Sequence, residues 1–408
     1  MTGGPVAVSV VVVSRGRPAD LPCCLGALAQ QTCPRFEVVV VADPAGLAAV
    51  GRSGFAGRLK EVAFDRPNIS EARNLGIAAS AGEVVAFIDD DAVAEPGWLK
   101  ALVLPFSDPD VAAAGGYVRG RNGISFQWRA RTVDGGGGTR DLTVPDGGWS
   151  LPDPGPGRAV KTEGTNMAVR RAALERLGGF DPAFGFYLDE TDLNLRLREQ
   201  GLRTAIVPGA EVHHGSAPSA RRRGDRMPRD LSEIGASSAV FLRKHAPGEL
   251  GARRAAMAAE QRQRLVRQMV AGRCMPGDVA RLLATFEQGF GSGLSHPLAP
   301  HRLPGEAPPP FLDFADPPRR SVIIAGSLWS RRRLLEEARA ARQEGAIVTL
   351  ITLSRTVRFH SVRFRGGIWQ HRGGSLGRSS RDEPLFRLAT LAARLRAERD
   401  RIAPLRRI

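Results

Sequence analysis

Short apolar runs that end abruptly in polar residues constrain the fold of this chain most strongly. Three mostly apolar runs have this form: Val6–Val13, Phe36–Val41 and Glu83–Ile88. Such runs are typical of strands buried on both faces of a parallel sheet. Because leucines recur at helical spacing between the first two runs, over residues 19–31, the sequence predicts a βαβ unit and an α/β fold class.

Polar residues follow these predicted strands directly. Ser14 follows the first run, Asp43 lies just beyond the second, and Asp89–Asp91 follow the third. In open α/β sheets, ligands bind beyond the carboxyl ends of the strands. The sequence therefore predicts that these residues lie together at one edge of the sheet.

The rest of the chain divides by composition and periodicity. Arg170–Leu177 and Thr191–Gln200 have helical patterns and Ala205–Val207 that of a short strand, whereas residues 119–158 show no clear period. After residue 217, three arginine-rich helical patterns precede a proline-rich stretch and a second strand–helix–strand pattern. We therefore predict four parts: a catalytic α/β unit over 1–217, a basic helical segment over 218–296, a linker over 297–318, and a partial Rossmann-like accessory domain over 319–408.

The charge is distributed unevenly between the two halves. Residues 1–214 hold 22 basic and 25 acidic residues, whereas residues 215–408 hold 36 and 17, and the whole chain carries a net charge of +16. The basic half predicts either an anionic partner, such as a membrane face or a polyanion, or a solvated arginine-rich surface. The chain has no RRM, KH or zinc-finger signature, so we expect no nucleic-acid partner.

Cysteine usage and hydropathy predict a cytoplasmic location, with peripheral association at the inner face of the cytoplasmic membrane as an alternative. Cys23, Cys24, Cys33 and Cys274 form no C-x-x-C pair and are expected to be reduced thiols. The longest apolar run is far shorter than the roughly 20 residues that cross a bilayer, and no charged segment precedes it as in a signal peptide.

The aspartate triplet is a candidate metal site. Asp89 and Asp91 are alternate residues, so their carboxylates can point the same way at the end of a strand. Carboxylate oxygens at this spacing suit Mg²⁺ or Mn²⁺ bridging a diphosphate. The alternative is a solvated acidic turn that caps the next helix.

Two further polar clusters each allow two interpretations. Asp189-Glu190-Thr191-Asp192 could cap a helix and pair Asp192 with Arg196, or could hold a general base beside a second carboxylate. In His213-His214, only one imidazole of an extended pair can face a metal, and such pairs are also common on surfaces. Asp43 could bind a base or a ribose, or cap a turn before Pro44.

Several of these motifs, taken in order along the predicted unit 1–217, resemble the family 2 glycosyltransferases of GT-A fold. The resemblance is carried by seven segments: Val8–Arg17, Glu37–Asp43, Ser70–Gly76, Glu83–Asp91, Pro96–Leu99, Gly178–Asp181 and Asp189–Arg198. It implies a Rossmann-like mixed sheet with helices on both faces, a nucleotide-diphosphate-sugar donor, a divalent cation (Mn²⁺ or Mg²⁺) and inversion at the anomeric carbon.

The resemblance also assigns residues to the donor and the metal. It implies six donor-binding residues: Ser14, Arg15, Asp43, Arg73, Asp89 and Asp90. Asp89 and Asp91 match the D-x-D motif, with Asp91 expected to bind the metal directly, and His214 matches a third ligand. No glycine-rich dinucleotide or P-loop motif follows the first strand, so metal and arginine are expected to hold the phosphates.

The catalytic and acceptor residues follow from the same resemblance. Glu190 stands where the family more often has Asp, which leaves the general base open between Glu190 and Asp189, with Glu190 preferred. Asn166 and Asp192 are expected to contact the sugar or the acceptor. Ala42 replaces a frequent first Asp of the base-binding pair, so the nucleotide is not specified.

The predicted reaction is sugar transfer to a hydroxyl of a saccharide or a lipid-linked acceptor, in cell-envelope polysaccharide synthesis. The glycine-rich stretch 134–157 is expected to close over the donor as a lid. Residues 319–408 more faintly resemble the start of a GT-B-type glycosyltransferase, which predicts a non-catalytic domain. The rival hypotheses are a sugar nucleotidyltransferase, which would need a lysine-containing glycine-rich loop after the first strand, and a non-catalytic anion-binding scaffold.

Overall fold

The apolar runs of the N-terminal part form adjacent parallel strands. The computed structural model describes residues 6–215, 221–305, 307–380 and 383–406. Strands and helices alternate at first: β1 (Val8–Ser14), α1 (Leu21–Leu28), β2 (Phe36–Ala42), α2 (Pro44–Gly51), β3 (Lys60–Ala63), α3 (Ile69–Ala79) and β4 (Val84–Asp89). These four strands pair in the order β3-β2-β1-β4, all parallel. Apolar clusters on both faces of the sheet bury β1, β2 and β4, which explains their continuous apolar sequences.

The following elements extend this sheet and make it mixed. They are β5 (Ala92–Ala94), α4 (Trp98–Val103), β6 (Val111–Arg119), β7 (Phe126–Trp128), β8 (Arg131–Asp134), β9 (Thr139–Asp141), β10 (Arg158–Lys161), β11 (Met167–Arg170), α5 (Arg171–Leu177), α6 (Asp189–Glu199) and β12 (Arg203–His214). The order is β3-β2-β1-β4-β11-β6-β12-β5, with β7 on β6. β11 is antiparallel to both neighbours, and β5 is antiparallel to β12. The predicted mixed α/β sheet with helices on both faces is confirmed.

Two sequence predictions were wrong in detail. The stretch 119–158 is not irregular throughout, because β8, β9 and β10 form a separate three-stranded sheet in the order β10-β8-β9. The predicted strand Ala205–Val207 is the middle of β12, which continues through Pro208-Gly209 to His214. A register shift between Val207 and Glu211 absorbs these two residues and Ala210 as an irregularity of the strand, whereas Pro208-Gly209 in sequence resembles a turn.

The predicted basic helical segment forms three helices: α7 (Ser232–His245), α8 (Leu250–Val270) and α9 (Pro276–Leu294). Their apolar faces share a core with α6 and with the small sheet, in which Phe241, Phe286 and Phe290 are almost completely buried. α7 and α9 pack closely, since a Cβ on Gly289 would lie 1.8 Å from the carbonyl oxygen of Ser232. The segment is therefore part of the folded body. None of the described helices has both the length and the apolarity that crossing a bilayer requires.

The proline-rich segment 297–318 contains no helix or strand among its described residues, but it is packed against the catalytic unit. Phe314 is fully buried between Phe36 and Phe55, with ring centroids 5.7 Å from each. The carboxylate of Asp316 lies 2.7 Å from the guanidinium of Arg58. This connection thus follows the edge of the first sheet.

The C-terminal part is a smaller α/β unit. It contains β13 (Ser321–Ser327), α10 (Arg331–Gln343), β14 (Ile347–Ser354), β15 (Ser361–Arg365), β16 (Ile368–Gly374) and α11 (Leu391–Arg406). The sheet order is β13-β14-β16-β15, with the first three strands parallel and β15 antiparallel to β16. The predicted strand–helix–strand start of this unit is confirmed.

A buried polar contact joins this unit to the catalytic unit. The guanidinium of Arg406 donates two 2.8 Å hydrogen bonds to the carboxylate of Glu95, and both side chains are at most 2% exposed. Trp369 donates a 3.1 Å bond from Nε1 to Gln30, and its ring packs 5.2 Å from that of His213. Because His213 also bonds to Glu95 at 2.8 Å, the C-terminal unit reaches the strand that ends in His214.

Candidate active site

Strand ends bring the predicted site residues together. Ser14 ends β1, Asp43 follows β2, and Asp89 ends β4, so all three lie at the carboxyl edge of the parallel strands. β5 then pairs antiparallel with β12, opposing Ala92 to His214. The last imidazole of β12 is thereby brought beside the aspartate triplet.

Asp89, Asp91 and His214 form a group able to hold a cation. One ligand atom from each lies within 4.8 Å of the other two. Nε2 of His214 is 3.4 Å from Oδ1 of Asp91 and 3.9 Å from Oδ2 of Asp89. The Asp89 side chain is 29% exposed and the other two at most 10%, which gives one open and two enclosed ligands. Two carboxylates and an imidazole suit Mn²⁺ or Mg²⁺, so the residues present fit the predicted metal.

A second layer of residues orients His214. Its Nδ1 lies 3.3 Å from Oε1 of Gln127, and its ring stacks on Trp128 with centroids 5.9 Å apart. Both partners belong to β7, inside the stretch that showed no sequence period. The apolar–polar alternation of β7 spans only three residues, which is too short to predict a strand.

Arg17 clamps the aspartate triplet from the β1 side. Its guanidinium lies 2.6 Å from Oδ1 of Asp90 and 3.1 Å from Oδ2 of Asp91. Asp90 is fully buried, and this burial, opposed by Arg17, raises its pKa to about 7. Asp90 is therefore the buried member of the triplet, and Arg17 is its charged partner. The sequence analysis gave no role to Arg17, because the partner of a charged loop residue depends on tertiary structure.

Arg73 connects the triplet to the acidic pair. It is buried on α3, forms an ion pair with Asp189, and lies 3.6 Å from Asp89. Its guanidinium also stacks over Phe180 at 5.1 Å. The loop before Asn166 passes so close to Arg73 that a side chain on Gly164 would collide with its guanidinium. This position therefore has room only for glycine. The guanidinium of Arg73 therefore links the two acidic clusters, which are about a hundred residues apart in the sequence.

The two carboxylates of the acidic pair have different surroundings. Asp189 has a 4% exposed side chain, and this burial, with Glu190 adding to it and Arg73 opposing it, raises its pKa to about 7. The Glu190 side chain is 17% exposed. Burial opposes its ionisation, but Lys161 and then Arg73 lower the pKa of Glu190 to about 2. The surroundings thus move the pKa values of the two adjacent carboxylates in opposite directions.

Lys161 was missed by the sequence analysis. It ends β10, and its Nζ lies 3.0 Å from Glu190 and 3.3 Å from Glu163. Only a strand assignment within 158–161 would have shown that this lysine, one of four in the chain, points toward α6. Two non-glycine residues with positive φ, Tyr187 and Leu188, precede α6 and set the entry of the acidic pair.

The other predicted donor residues surround the β1 and β2 ends. Asp43 caps α2 by accepting from Gly46 N at 2.8 Å, and it also accepts from Gly16 N at 2.7 Å. Gly16 has φ +69°, which only a glycine adopts readily. Ser14 is buried, whereas Arg15 is exposed and pairs with Asp65 at 2.9 Å. The capping interpretation of Asp43 therefore holds, and each carboxylate oxygen retains a lone pair for another donor.

Asn166 and Asp192 are not brought to the open part of the site. Asn166 is fully buried, donates to the carbonyls of Tyr117 and Ala210, and accepts from Trp98. Asp192 has a completely buried side chain that pairs with two cationic groups, Arg196 at 2.7 Å and Lys244 at 2.6 Å, and lies 3.0 Å from the imidazole of His245. These partners fix Asn166 between strands and Asp192 between α6 and α7, which departs from the predicted contact with sugar or acceptor.

The glycine turn within the predicted lid is also fixed. A Cβ on Gly135 would lie 2.5 Å from the carbonyl of His245, and one on Gly137 would lie 2.9 Å from Met257. Asp134 additionally accepts from the backbone of Gly136 and Gly138. The turn is therefore wedged against α7 and α8, so a closing movement within 134–157 would have to come from residues 139–157.

The mixed sheet, with an acidic triplet and an imidazole at the carboxyl ends of its strands, has the features of a GT-A glycosyltransferase. Residues 5–231 match the family model described as Glycosyltransferase like family 2. Because this match covers more than half of the 408 residues, the chain belongs to that family. The predicted family is confirmed, whereas the resemblance of residues 319–408 to GT-B enzymes is not.

Curated relatives match about half of the chain. The O-antigen biosynthesis protein RfbC of Myxococcus xanthus is 31% identical over 246 residues, which cover 55% of this chain and 18% of that protein. The glucosyl-dolichyl phosphate glucuronosyltransferase of Haloferax volcanii is 28% identical over 227 residues, covering 51% of this chain and 68% of that enzyme. The chain thus aligns with under a fifth of the length of the first relative.

Among solved structures, the mannosyltransferase PcManGT from Pyrobaculum calidifontis, in complex with GDP-Man and Mn²⁺, is 19% identical. The superposition covers 72% of this chain and 88% of that one, with a TM-score of 0.43.

Proposed function

We propose that the chain transfers a sugar, with inversion, from a nucleotide-diphosphate donor to a hydroxyl of a saccharide or a lipid-linked acceptor. The observation that carries this proposal is the geometry of Asp89, Asp91 and His214, whose ligand atoms lie within 4.8 Å of one another. The relatives in O-antigen and lipid-phosphate glycosylation support a role in cell-envelope polysaccharide synthesis. A cytoplasmic location with peripheral membrane association is part of the same proposal.

Asp89, Asp91 and His214 would hold Mn²⁺ or Mg²⁺ at the donor diphosphate. The bound cation would neutralise charge that develops on the leaving nucleotide diphosphate. Arg17 fixes Oδ2 of Asp91, which leaves Oδ1 directed at His214. Arg73 adds a fixed positive charge beside Asp89. Ser14, Arg15 and Asp43 border the place proposed for the nucleoside.

Glu190 is the proposed general base. Its carboxylate is ionised at neutral pH and is more exposed than that of Asp189, which Arg73 occupies. It would accept the proton of the acceptor hydroxyl as the oxygen attacks the anomeric carbon, through an oxocarbenium-like transition state. Attack on the face opposite the leaving diphosphate gives an inverted product. Lys161 keeps Glu190 deprotonated, and Asp189 keeps Arg73 in position.

The test is a donor screen with the whole chain, Mn²⁺ and a panel of UDP-, GDP- and dTDP-sugars. We expect one donor to raise the melting temperature only when Mn²⁺ is present, and to release nucleoside diphosphate slowly. Asp91→Asn should abolish both effects, whereas Asp110→Asn, which changes an exposed loop carboxylate, should abolish neither. The proton NMR spectrum of the product then reports whether the anomeric configuration is inverted.

Three results would contradict the proposal. Release of inorganic diphosphate from a nucleoside triphosphate and a sugar phosphate would identify a nucleotidyltransferase. Donor stabilisation that is equal with and without Mn²⁺, or equal in Asp91→Asn, would remove the metal site. No stabilisation by any donor, combined with salt-sensitive binding to a polyanion, would favour a scaffold.

A further inference from the structure

Large hydrophobic side chains that are exposed are concentrated at one edge of the C-terminal unit. Thirteen such residues are exposed within the described ranges. Seven of them lie in three loops of this unit: Leu328, Trp329, Val357, Phe359, Leu385, Phe386 and Leu388. Trp329 is 99% exposed and Leu388 87%. Apolar residues scattered over a surface are ordinary, but a concentration of this kind marks an interaction site.

The topology of the sheet brings the three loops to the same edge. β13, β14 and β16 are parallel, and their last residues, Ser327, Ser354 and Gly374, lie at adjacent ends of neighbouring strands. We call the segments that follow them, residues 328–333 including the start of α10, 355–360, 375–380 and 383–388, the apolar edge. The rest of α10 and all of α11 lie outside the apolar edge.

Hydrogen bonds tie the second and third loops into one surface. Leu376 N donates to the carbonyl of Thr356 at 3.1 Å, and Arg387 N donates to that of Leu376 at 3.0 Å. The guanidinium of Arg378 stacks over Phe359 at 4.5 Å. The apolar side chains therefore project from an ordered rim.

Arginines surround these apolar side chains. The apolar edge, within its described residues, contains seven arginines and one acidic residue, Glu383. Glu383 accepts a 2.7 Å bond from Ser379 N and lies 3.7 Å from Arg394, so its charge is partly balanced within the unit.

The adjoining face of β15 and β16 continues the positive surface. Arg363 and Arg365 alternate along β15, and Ser361 pairs with Arg372 across the strands, which places the three arginines on one face. Burial, followed by the charge of Arg331 and Arg363, lowers the pKa of Arg372, as expected where cations crowd together.

We propose that the apolar edge docks on a membrane surface rich in anionic phospholipids, with Trp329, Phe386 and Leu388 entering the interface and the arginines contacting lipid phosphates. Aromatic and aliphatic tips set in a basic surface match the chemistry of a bilayer interface. The core of a protein–protein interface is depleted of charge. A soluble polyanion would bind the arginines but would leave the apolar tips in water.

This docking would also orient the active site. The Arg406–Glu95 pair and the Trp369–Gln30 bond fix the C-terminal unit to the catalytic sheet. An enzyme held in this way presents its site at a constant position relative to the membrane, where a lipid-linked acceptor resides. The inference rests on the proposed function for this purpose only, because docking itself needs no transfer reaction.

The experiment is co-sedimentation of the whole chain with vesicles of phosphatidylcholine alone or mixed with phosphatidylglycerol. We expect binding to the anionic vesicles, little binding to the neutral ones, and weakening by salt. Trp329→Ser with Phe386→Ser should reduce binding, and Arg355→Gln with Arg358→Gln should reduce it about tenfold. All four residues are exposed, so folding should be retained.

Two control variants test whether losing any exposed apolar residue or any exposed arginine would have the same effect. Val270→Ser removes an 81% exposed apolar residue from the end of α8, and Arg320→Gln removes an exposed arginine at the opposite end of β13. Both should bind vesicles like the wild type. Equal binding by the edge variants and these controls would overturn the proposal.

Two other outcomes would also overturn it. Binding to an anionic polysaccharide with no binding to vesicles would make the surface a polyanion site. Concentration-dependent dimerisation that Trp329→Ser abolishes, again without vesicle binding, would make it a protein contact. Stabilisation by the sugar donor is measured without lipid, so vesicle binding by a chain that binds no donor would refute the proposed function and leave the docking surface standing.

Discussion

At the residue scale, the site depends on which carboxylate of the acidic pair carries the proton. Arg73 and Lys161 divide the pair, since Arg73 pairs with Asp189 while Lys161 lies 3.0 Å from Glu190. The surroundings therefore give these two adjacent residues different roles: Glu190 is the proposed base, and Asp189 holds Arg73 in position.

The two candidates for the base predict different pH profiles. With the pKa of Glu190 at about 2, the initial rate at saturating donor and Mn²⁺ should show no loss from protonation of the base between about pH 8 and about pH 5. Were Asp189 the base, its pKa of about 7 would make the rate fall as the pH drops below 7. Glu190→Gln should lower kcat about 10²- to 10⁴-fold with donor stabilisation retained. A larger loss of kcat in Asp189→Asn, with an acid limb near pH 7 in the wild type, would reverse the assignment.

Lys161→Met tests the cause of the low pKa. Lys161 makes the largest contribution that favours the ionised form of Glu190, so its removal should raise the pKa of Glu190. The rate should then fall as the pH drops through this new pKa. Lys100→Met, at an exposed position on α4, should leave the profile unchanged. Identical profiles in the two variants would show that Lys161 does not tune the base.

The residues that the sequence could identify are those in motifs. Asp89, Asp91 and His214 were expected together because the resemblance supplies their roles, and strand ends bring them within 4.8 Å. Arg17 and Lys161 could not be found in this way, since nothing in a single sequence pairs a loop arginine with Asp90 or a strand lysine with Glu190. The buried partners of Asn166 and Asp192 could not be predicted either, because a polar residue near a motif can equally face a ligand or satisfy buried groups.

At the element scale, periodicity predicted strands and helices that are buried on one face or on both. β1, β2 and β4 were recognisable because both faces are apolar, and α6 because its apolar positions recur. β7 to β10 were not, since they have only three or four residues each and glycine turns between them. β12 was cut short because the irregularity within it contains Pro208-Gly209, a dipeptide typical of turns.

Glycines control the packing of the helical segment. Gly289 and Gly291 lie two residues apart on α9, but only Gly289 meets another backbone, that of Ser232 at 1.8 Å from its would-be Cβ. Gly289→Ala should therefore push α7 and α9 apart and lower the free energy of unfolding by about 1–3 kcal/mol. Gly291→Ala, with nothing within 4 Å, should be neutral or stabilising by up to about 1 kcal/mol.

Urea unfolding of the two variants checks this expectation. If Gly289→Ala is as stable as Gly291→Ala, the close approach of α7 and α9 is not required for folding.

At the scale of the whole molecule, the C-terminal unit is joined to the catalytic unit through a buried ion pair. Removing one partner of such a pair leaves an uncompensated buried charge. Arg406→Met should therefore lower the free energy of unfolding by about 3–5 kcal/mol, because Glu95 remains 2% exposed. Arg399→Met, on the exposed face of the same helix, should change it by less than about 0.5 kcal/mol.

A double-mutant cycle with Glu95→Met isolates the pair. The double variant should lose less stability than the sum of the two single variants, since neither charge is then left alone. Additive losses, or an Arg406→Met variant as stable as Arg399→Met, would show that the two units are held together by other contacts.

The same ion pair bears on how the chain folds during synthesis. Glu95 and Arg406 are 311 residues apart in sequence, and Gln30 and Trp369 are 339 apart. The catalytic sheet can form as soon as β12 has left the ribosome, but the carboxylate of Glu95 then stays without its guanidinium partner until α11 is made. In a nascent chain stalled before α11, the catalytic unit should accordingly be folded but less stable. Chaperones and proteases should then be able to act on it at β5.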